Sequence, residues 1–207
     1  MLKRFKNDHP FSLDVSQSAP NLIAVGFVSG NVGMFNFNFS RKQLSVLDVR
    51  RMRASIRSCR FSMDGKTLYA VSENKGLSIY DTTNYKRTRC FVKCHDQKPS
   101  SMCILPSCST KGQQVATADE DGEVRTWDFR IGEPLICKFK DLEDVVNELF
   151  MAQNTLLAVC ADGTLGAYDV RKRKLLMRSE PMHSDLLSVT VTGKIFGNRS
   201  LVLQRRT

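Results

Sequence analysis

The sequence predicts an all-β repeat protein: a propeller of four-stranded blades, with about four blades complete and the first strand of a fifth begun. Three observations carry that expectation. The segments GNVGMFNF (30–37), GLSIYD (76–81), GEVRTWD (122–128) and GTLGAYD (163–169) each run from a glycine through a short alternating strand. Their large aromatics, Phe35, Tyr80, Trp127 and Tyr168, recur at intervals of 45, 47 and 41 residues. Asp-Gly pairs stand at 64–65, 121–122 and 162–163, and such pairs favour hairpin turns because the turn needs positive φ. A module of this size cannot bury its apolar face alone, so the chain should stack sheets and present rims rather than one deep pocket.

Each repeat divides into strands a, b, c and d. In the first blade (9–49), HPFSLDV, NLIAVGFV, NVGMFNF and QLSVLDV alternate between turn residues. The second (55–92) runs SIRSCRF, a Met63-Asp64-Gly65 turn, KTLYAVS, GLSIYD and TRCFV. The third (99–139) reads PSSMCIL, QQVATA, EVRTWD and PLICKF, and the fourth (144–179) has TLLAVC, TLGAYDV and KLLMRS as its b, c and d. Strand a of the fourth is the ambiguous element. Leu142, Val145, Val146, Leu149 and Phe150 fall at helical spacing, but their place just before a b strand favours a strand. DLLSVTV begins a fifth blade at 185, and 193–207 reads as a divergent tail after a partial propeller covering 1–192. A blade begun and abandoned reads as an interrupted product.

Composition fits a globular chain without a membrane span. Of 207 residues 42% are apolar and 25% charged, and no run of eighteen apolar residues occurs. The basic N-terminus lacks the apolar core of a secretory signal, and the seven cysteines, mostly in strands, read as reduced small hydrophobes of an intracellular protein.

The Trp127-Asp128 ending and its equivalents resemble the WD-repeat superfamily. That resemblance implies a hydrogen-bonded set within the third blade made by His95, Thr117, Asp121 and Trp127, which the other blades fill less completely. SIRSCRFSMDGKTLYAVSENKGLSIYD, KCHDQKPSSMCIL with VATADEDGEVRTWDFR, and SEPMHSDLLSV are similar to successive segments of a WD-repeat family of the nucleus and nucleolus. The resemblance implies a ring of about seven blades, of which this chain holds part, and a non-catalytic scaffold in ribosomal RNA processing and ribosome biogenesis. It also implies assembly factors of pre-ribosomes as partners.

Trp127, Asp128 and Arg130 form a WDxR ending, echoed by Asp169 and Arg171, which resembles the box by which some WD-repeat proteins dock on the adaptor of cullin-4 ubiquitin ligases. An arginine there could bond a partner carboxylate in bidentate fashion, although Trp-Asp at the end of strand c is also the structural norm of the fold. A substrate receptor for such a ligase, or a non-functional truncated product, are the alternatives to the scaffold. The formal charge of +10 comes from clusters that include Arg50, Arg51, Arg53 and the run Arg171, Lys172, Arg173, Lys174. These could form a basic rim in weak, non-specific contact with RNA, and the last run doubles as a candidate nuclear localisation signal; the bland alternative is a solvated face. Little aromatic interleaving argues against sequence-specific RNA reading. Cys90, Cys94, His95, Cys103 and Cys108 lie near zinc-ligand spacing, but strand alternation should scatter the thiols, so no metal is expected. No P-loop, nucleophile elbow, HExxH or dinucleotide fingerprint is present; no catalytic residue or cofactor is nominated.

Overall fold

A computed structural model describes residues 7–106, 114–182, 185–192 and 200–205. Its described elements are strands. β1 (Pro10–Val15), β2 (Leu22–Phe27), β3 (Asn31–Asn38) and β4 (Gln43–Arg51) make the first sheet. β5 (Ile56–Phe61), β6 (Thr67–Ser72), β7 (Leu77–Asp81) and β8 (Arg87–Phe91) make the second. β9 (Pro99–Leu105), β10 (Gln114–Asp119), β11 (Val124–Asp128) and β12 (Leu135–Phe139) make the third. β13 (Val146–Ala152), β14 (Thr155–Cys160), β15 (Leu165–Asp169) and β16 (Lys174–Arg178) make the fourth, and β17 (Leu186–Thr192) pairs with β18 (Ser200–Arg205). Within each sheet the strands are neighbours in chain order, as an up-and-down meander requires. The fold is thus four antiparallel four-stranded sheets of the kind WD-repeat propellers stack, with a further sheet begun. The begun sheet holds one strand more than its expected first strand: β18, inside the segment read as a tail, is in register with β17. Cys108 and residues 193–199, where the repeat pattern is lost, lie outside the described residues.

The sheets repeat in register as well as in order. The aromatic of each c strand faces the residue twelve before it on strand b: Ile23 with Phe35, Leu68 with Tyr80, Val115 with Trp127 and Leu156 with Tyr168. In all four sheets the c–d ladder slips by one residue immediately before that aromatic, at Met34/Phe35, Ile79/Tyr80, Thr126/Trp127 and Ala167/Tyr168. A bulge of this kind increases local twist and re-aims the side chain that follows it. Between b and c, Gly122 sits at φ 78°, and a Cβ there would stand 2.4 Å from the Leu142 carbonyl oxygen, so the turn both needs the left-handed backbone and has no room for a side chain.

A second bulge explains the ambiguous strand. β13 slips between Val146 and Glu148, so its core residues Val146 and Leu149 are three apart rather than two. The same slip at Ile56/Ser58 and Leu186/Ser188 spaces Ile56 from Cys59 and Leu186 from Val189. Helical spacing in DLEDVVNELF is therefore the signature of a bulged inner strand. The amide just past each of these bulges is satisfied from the neighbouring sheet: Cys59 donates to Ser12 Oγ at 2.9 Å, Leu149 to Ser101 Oγ at 3.0 Å and Val189 to Glu148 Oε2 at 2.7 Å.

The described residues form two compact units, the first ending at Pro99 and the second beginning at Ser100. In the first, Ala24, Val32 and Met34 pack against Ile56, Cys59, Leu68, Ala70 and Tyr80 of the next sheet. In the second, Ala116, Ala118, Val124 and Phe139 meet Leu149, Leu156, Ala158 and Tyr168, while Leu157, Val159 and Leu165 receive Leu186 and Val189. Apolar burial between sheets, at roughly 25 cal/mol per Å², is the force that stacks them.

Candidate functional site

The c strand of the third sheet carries a side-chain hydrogen-bond set. Thr117 on β10 is opposite Arg125 on β11, two residues short of Trp127, and Trp127 Nε1–H donates to Thr117 Oγ1 at 2.7 Å. Both side chains are buried. His95, of the first unit, is also fully buried. The turn that follows β10 is held by Asp119 rather than by Asp121: the Asp119 carboxylate, 1% exposed, accepts the amides of Asp121 at 3.1 Å and Glu123 at 3.0 Å. Asp121 itself sits exposed at the corner. Sequence reading missed Arg125 as well, which is buried on β11 and makes a two-point contact to Glu123 at 2.7 and 3.2 Å.

Asp128 ends the strand as the acceptor of a small network. It takes Gln114 Nε2 at 3.0 Å, the Arg130 amide at 3.0 Å and Arg130 Nε at 2.8 Å, and a further bond from Arg130 Nη2. The Arg130 guanidinium, with the Gln114 amide after it, holds the Asp128 carboxyl well below the usual carboxylate range. The arginine of the WDxR ending is thus bent back onto its own strand, and a partner carboxylate would compete with Asp128 for it. Asp169 and Asp81 share the capping part of this role: Asp169 Oδ1 accepts the amides of Arg171 and Lys172, both at 2.9 Å, and Asp81 Oδ1 accepts Thr83 at 2.7 Å. The aspartate closing strand c therefore caps the c–d turn in three sheets.

Equivalent positions are filled differently elsewhere. Ten residues before the aromatic, Thr117 is replaced by Ala70 and Ala158; eight before, Asp119 is replaced by Ser72 and Cys160. Ser72 Oγ donates to the Gly76 carbonyl at 3.3 Å, and Cys160 Sγ lies 3.2 Å from the Asp144 carbonyl oxygen. Tyr168 lies back over Gly166, where a Cβ would meet its ring at 3.0 Å, and its buried hydroxyl finds no hydrogen-bond partner among the described residues. Burial pushes that phenol upward, since its charged form would be stranded among Ala158, Leu156 and Phe139.

The basic residues divide by sheet. Arg50 is engaged, its Nε 2.6 Å from Asp48 and 2.9 Å from the Tyr85 carbonyl oxygen, while Arg51 and Arg53 are exposed. Arg171, Lys172, Arg173 and Lys174 are all exposed in and beside the c–d turn of the fourth sheet. Of the cysteines considered for zinc, Cys90 is exposed on β8 and Cys94 and Cys103 are buried. No group of three or more metal-ligating side chains converges among the described residues. Burial pushes the Cys59 thiol up to about 11, so it behaves as a core hydrophobe at neutral pH.

Comparison with known proteins agrees with this repeat geometry. Residues 86–128 match the sequence family described as WD domain, G-beta repeat; that stretch runs through β8 to β11 and ends at Asp128. The chain is 29% identical over 178 residues to WD repeat-containing protein 55 of Pongo abelii and to that of Homo sapiens, alignments that cover 84% of this chain and 44% of each relative. A homolog from Drosophila willistoni is 28% identical over 88% of this chain and 35% of its own length. The chain thus spans less than half the length of the curated relatives it matches. Residues 86–128 match a WD repeat, and the chain is similar, over 84% of its length, to WD repeat-containing protein 55.

Proposed function

We propose that the chain is a non-catalytic interaction scaffold that works in the nucleolus, in ribosomal RNA processing and ribosome biogenesis, by holding assembly factors of pre-ribosomes on its blade rims. The observation that carries the reading is the division of labour within the second and fourth repeats. There strands b and c are buried and hold the fold, whereas the d strands, RTRCF of β8 and KLLMR of β16, are mostly exposed. Similarity to WD repeat-containing protein 55 supports the same reading. Exposed cations at Arg51, Arg53 and Arg171 to Lys174 add weak, salt-sensitive attraction to RNA phosphates. Depleting the protein and following newly made ribosomal RNA tests the proposal. Precursors of the large-subunit RNA should accumulate, and processing at the normal rate would refute it.

Docking on a ubiquitin-ligase adaptor through Trp127, Asp128 and Arg130 is the weaker reading, because Arg130 would first have to exchange Asp128 for the partner. Arg130→Ala should leave adaptor co-purification unchanged; its loss would favour the receptor.

A further inference from the structure

We propose that the c–d hairpin of the fourth sheet is a docking surface for an acidic, leucine-rich peptide segment of a partner protein. The proposal rests on the scaffold reading and names the chemistry of one partner. Three features of this hairpin point to that ligand. Its turn is held by internal hydrogen bonds: Asp169 accepts the amides of Arg171 and Lys172, and Arg173 adopts φ 54°. It presents four cations in succession, and none of the four holds a carboxylate at ion-pair distance among the described residues. Past Leu175, Leu176 and Met177 are 51% and 54% exposed on a strand with a neighbour on one side only. The first sheet's c–d turn carries two exposed cations, Arg41 and Lys42, beside exposed Phe39. The second carries Lys86 and Arg87 after Thr82-Thr83-Asn84, and in the third Arg130 is spent on Asp128, so the fourth differs in its unbroken run of four.

Charge and apolar area side by side match a peptide that carries both. Cations alone would suit any polyanion, but Leu176 and Met177 gain only from an apolar counterpart, and a turn held by its own hydrogen bonds lowers the entropy lost on docking. Single-stranded RNA is the poorer fit, since stacking needs an exposed aromatic and the one aromatic of this hairpin, Tyr168, is fully buried. Contact is through side chains and not by adding a strand. β16 slips by one residue against β15, with Met177 opposite Ala167 and Leu175 opposite Tyr168, and the bulged Leu176 interrupts the regular edge a ladder would need.

The test is fluorescence anisotropy of the full chain with a short labelled peptide of alternating glutamate and leucine, beside the same peptide with serine for leucine and an oligouridylate of equal charge. Replacing both Leu176 and Met177 by serine should weaken the glutamate–leucine peptide about tenfold and leave the serine peptide unaffected. Lys172→Gln with Lys174→Gln should weaken both peptides and flatten their salt dependence. Equal binding of the serine and leucine peptides, an unchanged affinity in the double serine variant, or tighter binding of the oligouridylate would overturn the proposal. Because the readout is peptide affinity, it can fail while ribosomal RNA processing still depends on the protein, and it can hold if that dependence is absent.

Discussion

The third and fourth sheets share strand order, register and a bulge before the c-strand aromatic, yet they hold that aromatic by different means. Trp127 is tied to Thr117, and Asp119 closes the adjoining turn through two amides. Tyr168 has Ala158 and Cys160 in the corresponding places, lies back over Gly166 and is held by packing, with its hydroxyl buried and without a hydrogen-bond partner among the described residues. The difference separates two requirements that a repeat protein must meet. Register and burial are enough to form a blade, whereas a satisfied polar set makes one blade harder to open than its neighbour.

The largest effect expected from this contrast is at the turn carboxylate. Asp119→Ala leaves two backbone amides without their charged acceptor and should cost about 3 kcal/mol, against about 1 kcal/mol for Cys160→Ala at the matching position, both read from urea unfolding. Next come the aromatics, where the signs should differ. Trp127→Phe removes a buried hydrogen bond and some packing and should destabilise by about 2 kcal/mol, while Tyr168→Phe deletes an unsatisfied hydroxyl and should stabilise by about 1 kcal/mol. Destabilisation by Tyr168→Phe would mean that the phenol has a partner after all.

The smallest effect concerns Asp128. Its folded-state carboxyl is held below the ordinary carboxylate range, chiefly by Arg130, so the pair stabilises the chain above a pH of about 4 and loses that contribution as pH falls through the lowered folded value. Arg130→Ala should therefore unfold at lower urea than the parent at neutral pH, and the gap should close in strong acid and shrink with salt. A gap that persists in strong acid would show that Arg130 acts through packing instead.

Much of the fold was legible because turns and period carry it. Asp121-Gly122 and Asp162-Gly163 mark b–c turns in which both glycines take positive φ, and the aromatics sit in matching strands. The inner strands were harder: a bulge turns a spacing of two into three, so Val146 and Leu149 imitate a helix until the same interval is noticed at Ile56 and Cys59. In the site, ADEDG offers two aspartates, and local sequence does not say which one turns inward. Counting eight residues back from the aromatic would have singled out Asp119, in line with Ser72 and Cys160. The folding of Arg130 onto Asp128 was not readable, because a WDxR string is the same whether its arginine faces outward or returns to its own strand.

Native-state hydrogen exchange tests most directly the claim that polar satisfaction, on top of shared packing, sets how firmly each blade is closed. Amides of β10 and β11 should open at a free energy above those of β14 and β15, and the gap should narrow when Thr117 is replaced by valine. Equal protection of the two hairpins, or a gap that Thr117→Val leaves unchanged, would contradict the account.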